Sequence, residues 1–504
     1  MIRVVICALI SVALGGGLAP RAVAQTDPKI AVDWSTVTSV SRTSPSLEVD
    51  VVPQMRREHP LHKQIFGALR DLELDYVRFL AWYPPVRLVV PALEAPRQGK
   101  TSWDFTLVDP IVIDFMDATA GHPVVMDFAT TPQWMFKTEK HHYPDTAEGL
   151  DWQYNEGTEL RDPTMQEIAD YHARLVSWYT KGGFEDEHGK WHRSGHAYKL
   201  EYWEVLNEIE LEHKLSPQVY TKLYDAVVLA VRKVSPGMKF VGLSLARTKD
   251  PEFFEYFLDP KNHQPGIPLD MISYHFYAVP DPEQSADAKQ YSLFDQAEGF
   301  LTTVRYIEAT RKRLSPQTRT YVDELGVILP EAATGPRITK PIADSYWNLY
   351  AAYWTYVYVN LANLGIDLVA GNQFFGYPGF FAGTTMLDWE TGAPKPCYWV
   401  LKLMRDTIGP GDKLVDTRLT FPDARVPNVY AQAVVSRKGE RKIVLINKRD
   451  REFKIAIPGG AGARAEIVDQ TTAASPASRI ELKDGVLTLR GFAVAVVTLA
   501  AASP

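Results

Sequence analysis

The chain has 504 residues and carries 61 acidic against 54 basic side chains, a net charge of −7. It therefore lacks the basic excess that nucleic acid or an anionic membrane surface selects for. Its length allows a large core without cross-links, and it shows neither a phosphate-cradling glycine loop nor a dinucleotide fingerprint.

At the amino terminus, Arg3 precedes an apolar run from Val4 to Leu14, and Ala22-Val23-Ala24 stands before Gln25. This is the charged, apolar and small-residue order of a secretory signal, so residues 1–24 are expected to be removed and the protein secreted or periplasmic. Gly15, Gly16, Gly17 and Pro20 break the run, which is too short to span a bilayer. Cys7 leaves with this segment. Cys397, in the apolar Cys397-Tyr398-Trp399-Val400-Leu401, is then a core residue with no disulfide partner.

Residues 25–45 form an extension in which Ile30-Ala31-Val32-Asp33-Trp34 is a candidate strand for the C-terminal domain. From 46 to 408, β-type runs at 47–52, 75–82, 123–128, 200–206, 239–244, 270–277, 318–325 and 367–374 alternate with amphipathic stretches. The stretches include 61–72, 165–180, 217–234, 294–314 and 342–364, and Ser216-Pro217 is a helix start. Eight strands alternating with helices define an α/β protein with a (β/α)8 TIM barrel; a doubly wound open sheet normally has fewer units. From 409 to 504, closely spaced alternating runs at 429–435, 442–447, 452–457, 465–469, 480–482 and 486–499 predict an appended C-terminal β-sandwich domain.

The barrel places chemistry at the carboxyl ends of its strands. Predicted strand four ends in Asn207-Glu208, and strand seven carries Asp323-Glu324 before Leu325-Gly326. Two glutamates at the mouth of one barrel suit glycoside cleavage, in which one carboxylate attacks carbon and the other protonates the leaving oxygen. Glu324 is the expected nucleophile and Glu208 the expected acid/base. No metal or other cofactor is expected. Only His275 lies at a strand end in the way a metal-dependent barrel hydrolase would require, and the histidines at 188, 192 and 196 precede strand four, at the opposite end of the barrel.

Arg78 is a charge within an apolar strand, and such a charge persists only when paired. Its expected partner is Glu324, with a structural bridge to Glu204 or Asp127 as the alternative. Tyr277 is placed to donate to Glu324, His275 to touch a sugar hydroxyl, and Asn207 to donate to the substrate 2-hydroxyl. Trp134, Trp82 and Phe374 are candidate sugar-stacking aromatics, although half of the aromatics at 374–381 suit core packing equally well. The basic cluster Lys137, Lys140, His141 and His142 could hold a carboxylate or simply be solvated.

Trp203-Glu204-Val205-Leu206-Asn207-Glu208, the His-x-Tyr at 275–277 and Asp323-Glu324-Leu325-Gly326 resemble the clan A glycoside hydrolases, and within them family 39, which includes β-xylosidases and α-L-iduronidases. The resemblance extends over most of residues 46–500. It implies a retaining mechanism with the strand-four Glu as acid/base and the strand-seven Glu as nucleophile. It also implies a carbohydrate substrate, by default of β-xylosidase type. Leu206 and Ile209 replace the Trp and Pro usual around the Asn-Glu pair, and strand eight ends in Gln373-Phe374-Phe375 without the Trp many relatives have. A non-catalytic carbohydrate-binding barrel and a transglycosylase remain the alternatives.

Overall fold

The computed structural model describes residues 28–139, 143–330, 341–377, 381–421 and 428–500. The expected leader, the cluster at 140–142 and loop residues 378–380 lie outside this set. Eight parallel strands close into a barrel: Ser44–Asp50, Val77–Leu80, Val124–Asp127, Tyr202–Glu204, Lys239–Leu245, Met271–Ala278, Arg319–Val327 and Leu368–Gly371, here barrel strands one to eight. Strand eight closes onto strand one, with Leu368 opposite Ser44 and Gly371 opposite Leu47. Helices such as Gln166–Thr180, Pro217–Val234 and Asp344–Leu364 cover the outside. Ser216 caps the second of these by accepting from the Val219 backbone N–H at 3.3 Å, as its sequence suggests. The helix expected from 294 begins at Ala286. Its first turns, Ala286-Asp287-Ala288-Lys289-Gln290, are too polar to register as an apolar stripe, and the Ser285 hydroxyl caps them.

The barrel interior is layered, because alternate residues of each strand point inward. Val125, Tyr202, Val241, Met271, Tyr321, Leu368 and Ala370 form an apolar floor with Tyr76 against it. One residue pair further along the strands the inward positions become polar: Glu48, Arg78, Asp127, Glu204, Ser273 and Asp323 are all buried. An apolar plug therefore carries a charged layer, and the mouth lies above it.

The C-terminal sandwich is built on Val429–Val435, Arg441–Asn447, Val494–Thr498 and their neighbours. Strand Lys29–Val40, ahead of the barrel, pairs antiparallel with Lys413–Thr420, from Lys29 opposite Thr420 to Val40 opposite Lys413. That second strand has no clear apolar alternation in sequence, since Asp416 and Arg418 interrupt it. The run at 486–499 divides at Arg490-Gly491 into Val486–Leu489 and Val494–Thr498, which lie far apart in the strand order. Along Arg441–Asn447 both faces are buried: Ile443 and Leu445 enter the sandwich core, whereas Val444 and Ile446 pack on the barrel's core. The sandwich is thus bound to the barrel by continuous apolar packing. Among the described residues no helix is long and apolar enough to cross a membrane.

Ile446 has no exposed surface in this seam, so Ile446→Ala should destabilise the protein by about 2–5 kcal/mol, the usual cost of a large buried truncation. A lowered urea midpoint checks this; an unchanged midpoint would show that the two domains are not energetically joined there.

Candidate active site

Local backbone distortions bring the two glutamates over the barrel mouth. Strand four ends at Glu204, and the chain beyond it places Leu206 (φ 65°) and Glu208 (φ 41°) in the left-handed region. Non-glycine residues occupy that region only when surrounding structure imposes it, at roughly 1–3 kcal/mol each. Here the Val205 and Glu208 N–H groups bond the carbonyls of Val241 (3.1 Å) and Ser244 (2.9 Å) on strand five. In strand seven the register with strand six slips between Val322 and Glu324. Such a bulge turns consecutive residues to the same side, so Asp323 and Glu324 both face inward.

The two carboxylates meet at His275. Its Nδ1 lies 3.2 Å from Glu208 Oε1 and 3.2 Å from Glu324 Oε2. The closest carboxylate oxygens of Glu208 and Glu324, with a His275 ring nitrogen, lie within 4.8 Å of one another. So close an approach is shorter than the roughly 6.5–9.5 Å that leaves room for a water in inverting glycosidases and lies on the side of the roughly 5–5.5 Å of retaining ones. His275 Nε2 lies 3.0 Å from Ser244 Oγ and 3.4 Å from Asp323. Both ring nitrogens are therefore occupied within the protein, and the ring serves the carboxylates rather than acting mainly on a sugar hydroxyl.

Arg78 holds the layer beneath. Its Nη1 donates to Glu324 Oε1 at 2.9 Å, its Nε to Glu204 at 2.6 Å, and its Nη2 to Asp127 and Asn207, each at 2.8 Å. The two alternatives for its partner are thus met together, because a guanidinium has donors on three sides. Tyr277 Oη donates to Glu324 Oε2 at 2.7 Å and accepts from Asn372 Nδ2. Asn207 Nδ2 donates to Glu212 at 3.2 Å, which leaves its second amide hydrogen for a ligand.

Burial and charge act against each other throughout this cluster. Burial raises Asp127 well above the ordinary carboxylate range and Glu204 to about 7, against the opposing pull of Arg78. Asp323 is also buried, but His275 and Arg78 bring it below its usual value. For His275, burial favours the neutral ring, yet Glu324 and Asp323 outweigh it and hold the imidazolium form. Burial raises Glu324, with His275 and Arg78 offsetting part of the effect. Burial and then Glu324 keep Tyr277 a hydroxyl donor.

The pair opens into a cavity of about 830 Å³ lined by residues that include Glu48, Asp50, Trp82, Asn207, Arg247, Gln373 and Phe381. Trp82 is at the rim, its Nε1 donating to Glu212 at 2.8 Å. Two expected stacking residues are placed elsewhere. Trp134 lies on a short helical turn, donates to the Ala92 carbonyl at 2.7 Å and has Arg161 over its ring, lining a separate pocket. Phe374 is wholly buried in the core; Phe381, seven residues on, reaches the cavity. Sequence reasoning also passed over Glu48, Asp50 and Ser244. The alternation of Glu48 and Asp50 within an apolar run was the available sign that both point into the barrel.

Glu208, His275 and Glu324 form the one group among the described residues whose donor atoms could converge on a metal ion. A metal there would have to displace the proton that His275 holds between the two acids. On the far side, His192 pairs with Asp186 (2.8 Å) and His196 with Asp109 (3.1 Å).

The barrel-plus-sandwich fold is shared with glycoside hydrolases of known structure. A family 51 arabinofuranosidase from Xanthomonas axonopodis pv. citri superposes with a TM-score of 0.63 at 13% identity, covering 94% of this chain and 100% of that one. A family 51 α-L-arabinofuranosidase from Bifidobacterium longum gives 0.61 at 12% identity, covering 94% and 99%. A family 30 endoxylanase from Clostridium papyrosolvens gives 0.54 at 13%, covering 94% and 100%. At these identities the likeness is one of fold. Residues 427–497 match the model of the C-terminal immunoglobulin-like domain of D-apionate lactonase. No curated protein sequence matches the chain.

Replacing Arg78 by Met leaves several buried carboxylates without their cation, and losing one partner of a buried pair costs about 3–5 kcal/mol. The loss should be larger at pH 8 than at pH 5, where the stranded acids can take up protons; melting temperatures at the two values check this. In the unaltered protein, Asp50 and Glu204 are both raised to about 7. Their contribution to stability is fully present below the ordinary carboxylate range and is lost as pH rises toward 7. Chemical denaturation from pH 4 to 8 should show it, with an attenuated slope in Asp50→Asn.

Proposed function

We propose that the protein is a retaining glycoside hydrolase acting by double displacement. The observation that carries this reading is the spacing of Glu208 and Glu324, whose carboxylate oxygens lie within 4.8 Å of each other across the barrel mouth. Glu324 attacks the anomeric carbon while Glu208 gives a proton to the departing glycosidic oxygen. Glu208 then takes a proton from water as that water displaces the sugar from Glu324. Tyr277 and Arg78 each hold one oxygen of Glu324, which fixes the carboxylate for in-line attack. The imidazolium of His275 between the two acids reduces their mutual repulsion.

The motif resemblance to family 39 supports a β-xylosidase-like activity, and the folds it shares with arabinofuranosidases and a xylanase support a pentose-containing substrate. A second reading, lactone hydrolysis, is favoured by the match of residues 427–497 to a domain of D-apionate lactonase. In it Glu208 would activate water against an acyl carbon and no glycosyl-enzyme would form.

Glu208→Gln should lower kcat on unactivated glycosides by about 10²–10⁴-fold, the usual contribution of general acid–base catalysis. Glu324→Gln should abolish turnover, and a 2-fluoro glycoside should label Glu324 in the unaltered enzyme. Assays would use aryl β-xylosides, aryl α-L-arabinofuranosides and aldonolactones, with peptide mapping of the label. Lactone turnover that survives Glu324→Gln, with no glycoside cleaved, would establish the second reading instead.

A further inference from the structure

Glu48 and Asp50 are two buried acids next to the candidate nucleophile that the double-displacement chemistry does not use. They lie two residues apart on strand one, so both project into the barrel, and each is 1% exposed. Burial raises both, Glu48 well above the ordinary carboxylate range and Asp50 to about 7. Glu48 Oε2 and both oxygens of Asp50 have no hydrogen-bond partner among the described residues. Buried polar atoms rarely stay unsatisfied, and both side chains line the central cavity. Both sense the charge of Glu324. Glu324 lines the same cavity, so a sugar attacked by Glu324 lies beside them.

The charges on that wall constrain the sugar. Arg78 is a cation acting on both acids, and its donors are already committed to Glu204, Glu324, Asp127 and Asn207. The cavity's exposed cations, Arg247 and Lys249, stand on the loop after strand five, diametrically across an eight-stranded barrel from strand one. A carboxylate on a sugar held against that wall would meet two acids and, among the described residues on that side, no uncommitted cation. Neutral hydroxyls would find unsatisfied acceptors.

We propose that Glu48 and Asp50 form the hydroxyl-binding wall of the subsite for the sugar being transferred, and that this sugar is uncharged, presenting adjacent hydroxyls and no carboxylate. The inference rests on the glycosidase reading, because it takes Glu324 to face the anomeric carbon. It separates the two activities within the resembled family, favouring a xylose- or arabinose-type unit over a uronic acid.

Binding tests the inference without requiring turnover. In the Glu324→Gln background, titration of D-xylose, L-arabinose and D-glucuronate would be followed by ligand-observed NMR. A neutral pentose should bind saturably and glucuronate should not. Asp50→Asn or Glu48→Gln should weaken pentose binding roughly 10- to 100-fold, as expected for lost hydrogen bonds to a charged acceptor. Deoxy-pentoses should bind more weakly than the parent sugar to the background protein, but no more weakly than it to the Asp50 variant. A purely structural role for the pair would not produce that convergence, and the deoxy-sugar comparison on the background protein stands even if a variant fails to fold. Glucuronate binding as tightly as the pentoses, or pentose binding unaffected by both substitutions, overturns the proposal. Failure of the glycosidase reading would appear separately, as absence of glycoside cleavage and of label on Glu324.

Discussion

The structure is organised around one guanidinium. Arg78 sits in the barrel with no exposed surface and reaches Glu204, Asp127, Asn207 and Glu324, which come from strands three, four and seven and the segment after strand four. A buried cation of this kind is tolerable only with several anionic or polar partners, and those partners are tolerable only because of it. The apolar floor below and the open mouth above make this layer the boundary between a packed core and the central cavity.

This boundary explains how neighbouring acids come to differ in behaviour. The buried carboxyl groups near Arg78 experience similar desolvation, yet Glu204 is raised to about 7 while Asp323 is lowered. His275 reaches Asp323 and the Glu208–Glu324 pair and is the largest influence lowering Asp323, whereas it is not among the main causes acting on Glu204. One residue set by a strand-six position therefore connects the structural layer to the reactive pair. The sandwich contributes through the outside: Val444 and Ile446 pack on the barrel core, and Arg449 bonds the Gln290 carbonyl at the start of a barrel helix.

Much of the fold was legible in the sequence because its signals are local. Each predicted barrel run overlaps one observed strand, since a buried parallel strand is a short apolar run between turns. Glu208 and Glu324 stood out by combining a charged residue type with a strand end, and Arg78 by being a charge in an apolar strand. Aromatic residues offered no such discrimination. Trp134 and Phe374 had the same local appearance as Trp82 and Phe381, because a ring packs in a core or lines a rim with equal ease, and only the neighbouring elements decide which.

The sequence by itself determined the alternation of strands and helices and the appended β domain, and it singled out the two glutamates as candidates, because periodicity and residue chemistry are written along the chain. Only the tertiary structure decided how these residues act together. The slip in strand seven that turns both Asp323 and Glu324 inward, the left-handed turn that places Glu208 and the convergence of both acids on His275 all depend on contacts between distant strands. Each balances desolvation against a partner supplied from elsewhere in the barrel, and that balance exists only once the barrel has closed.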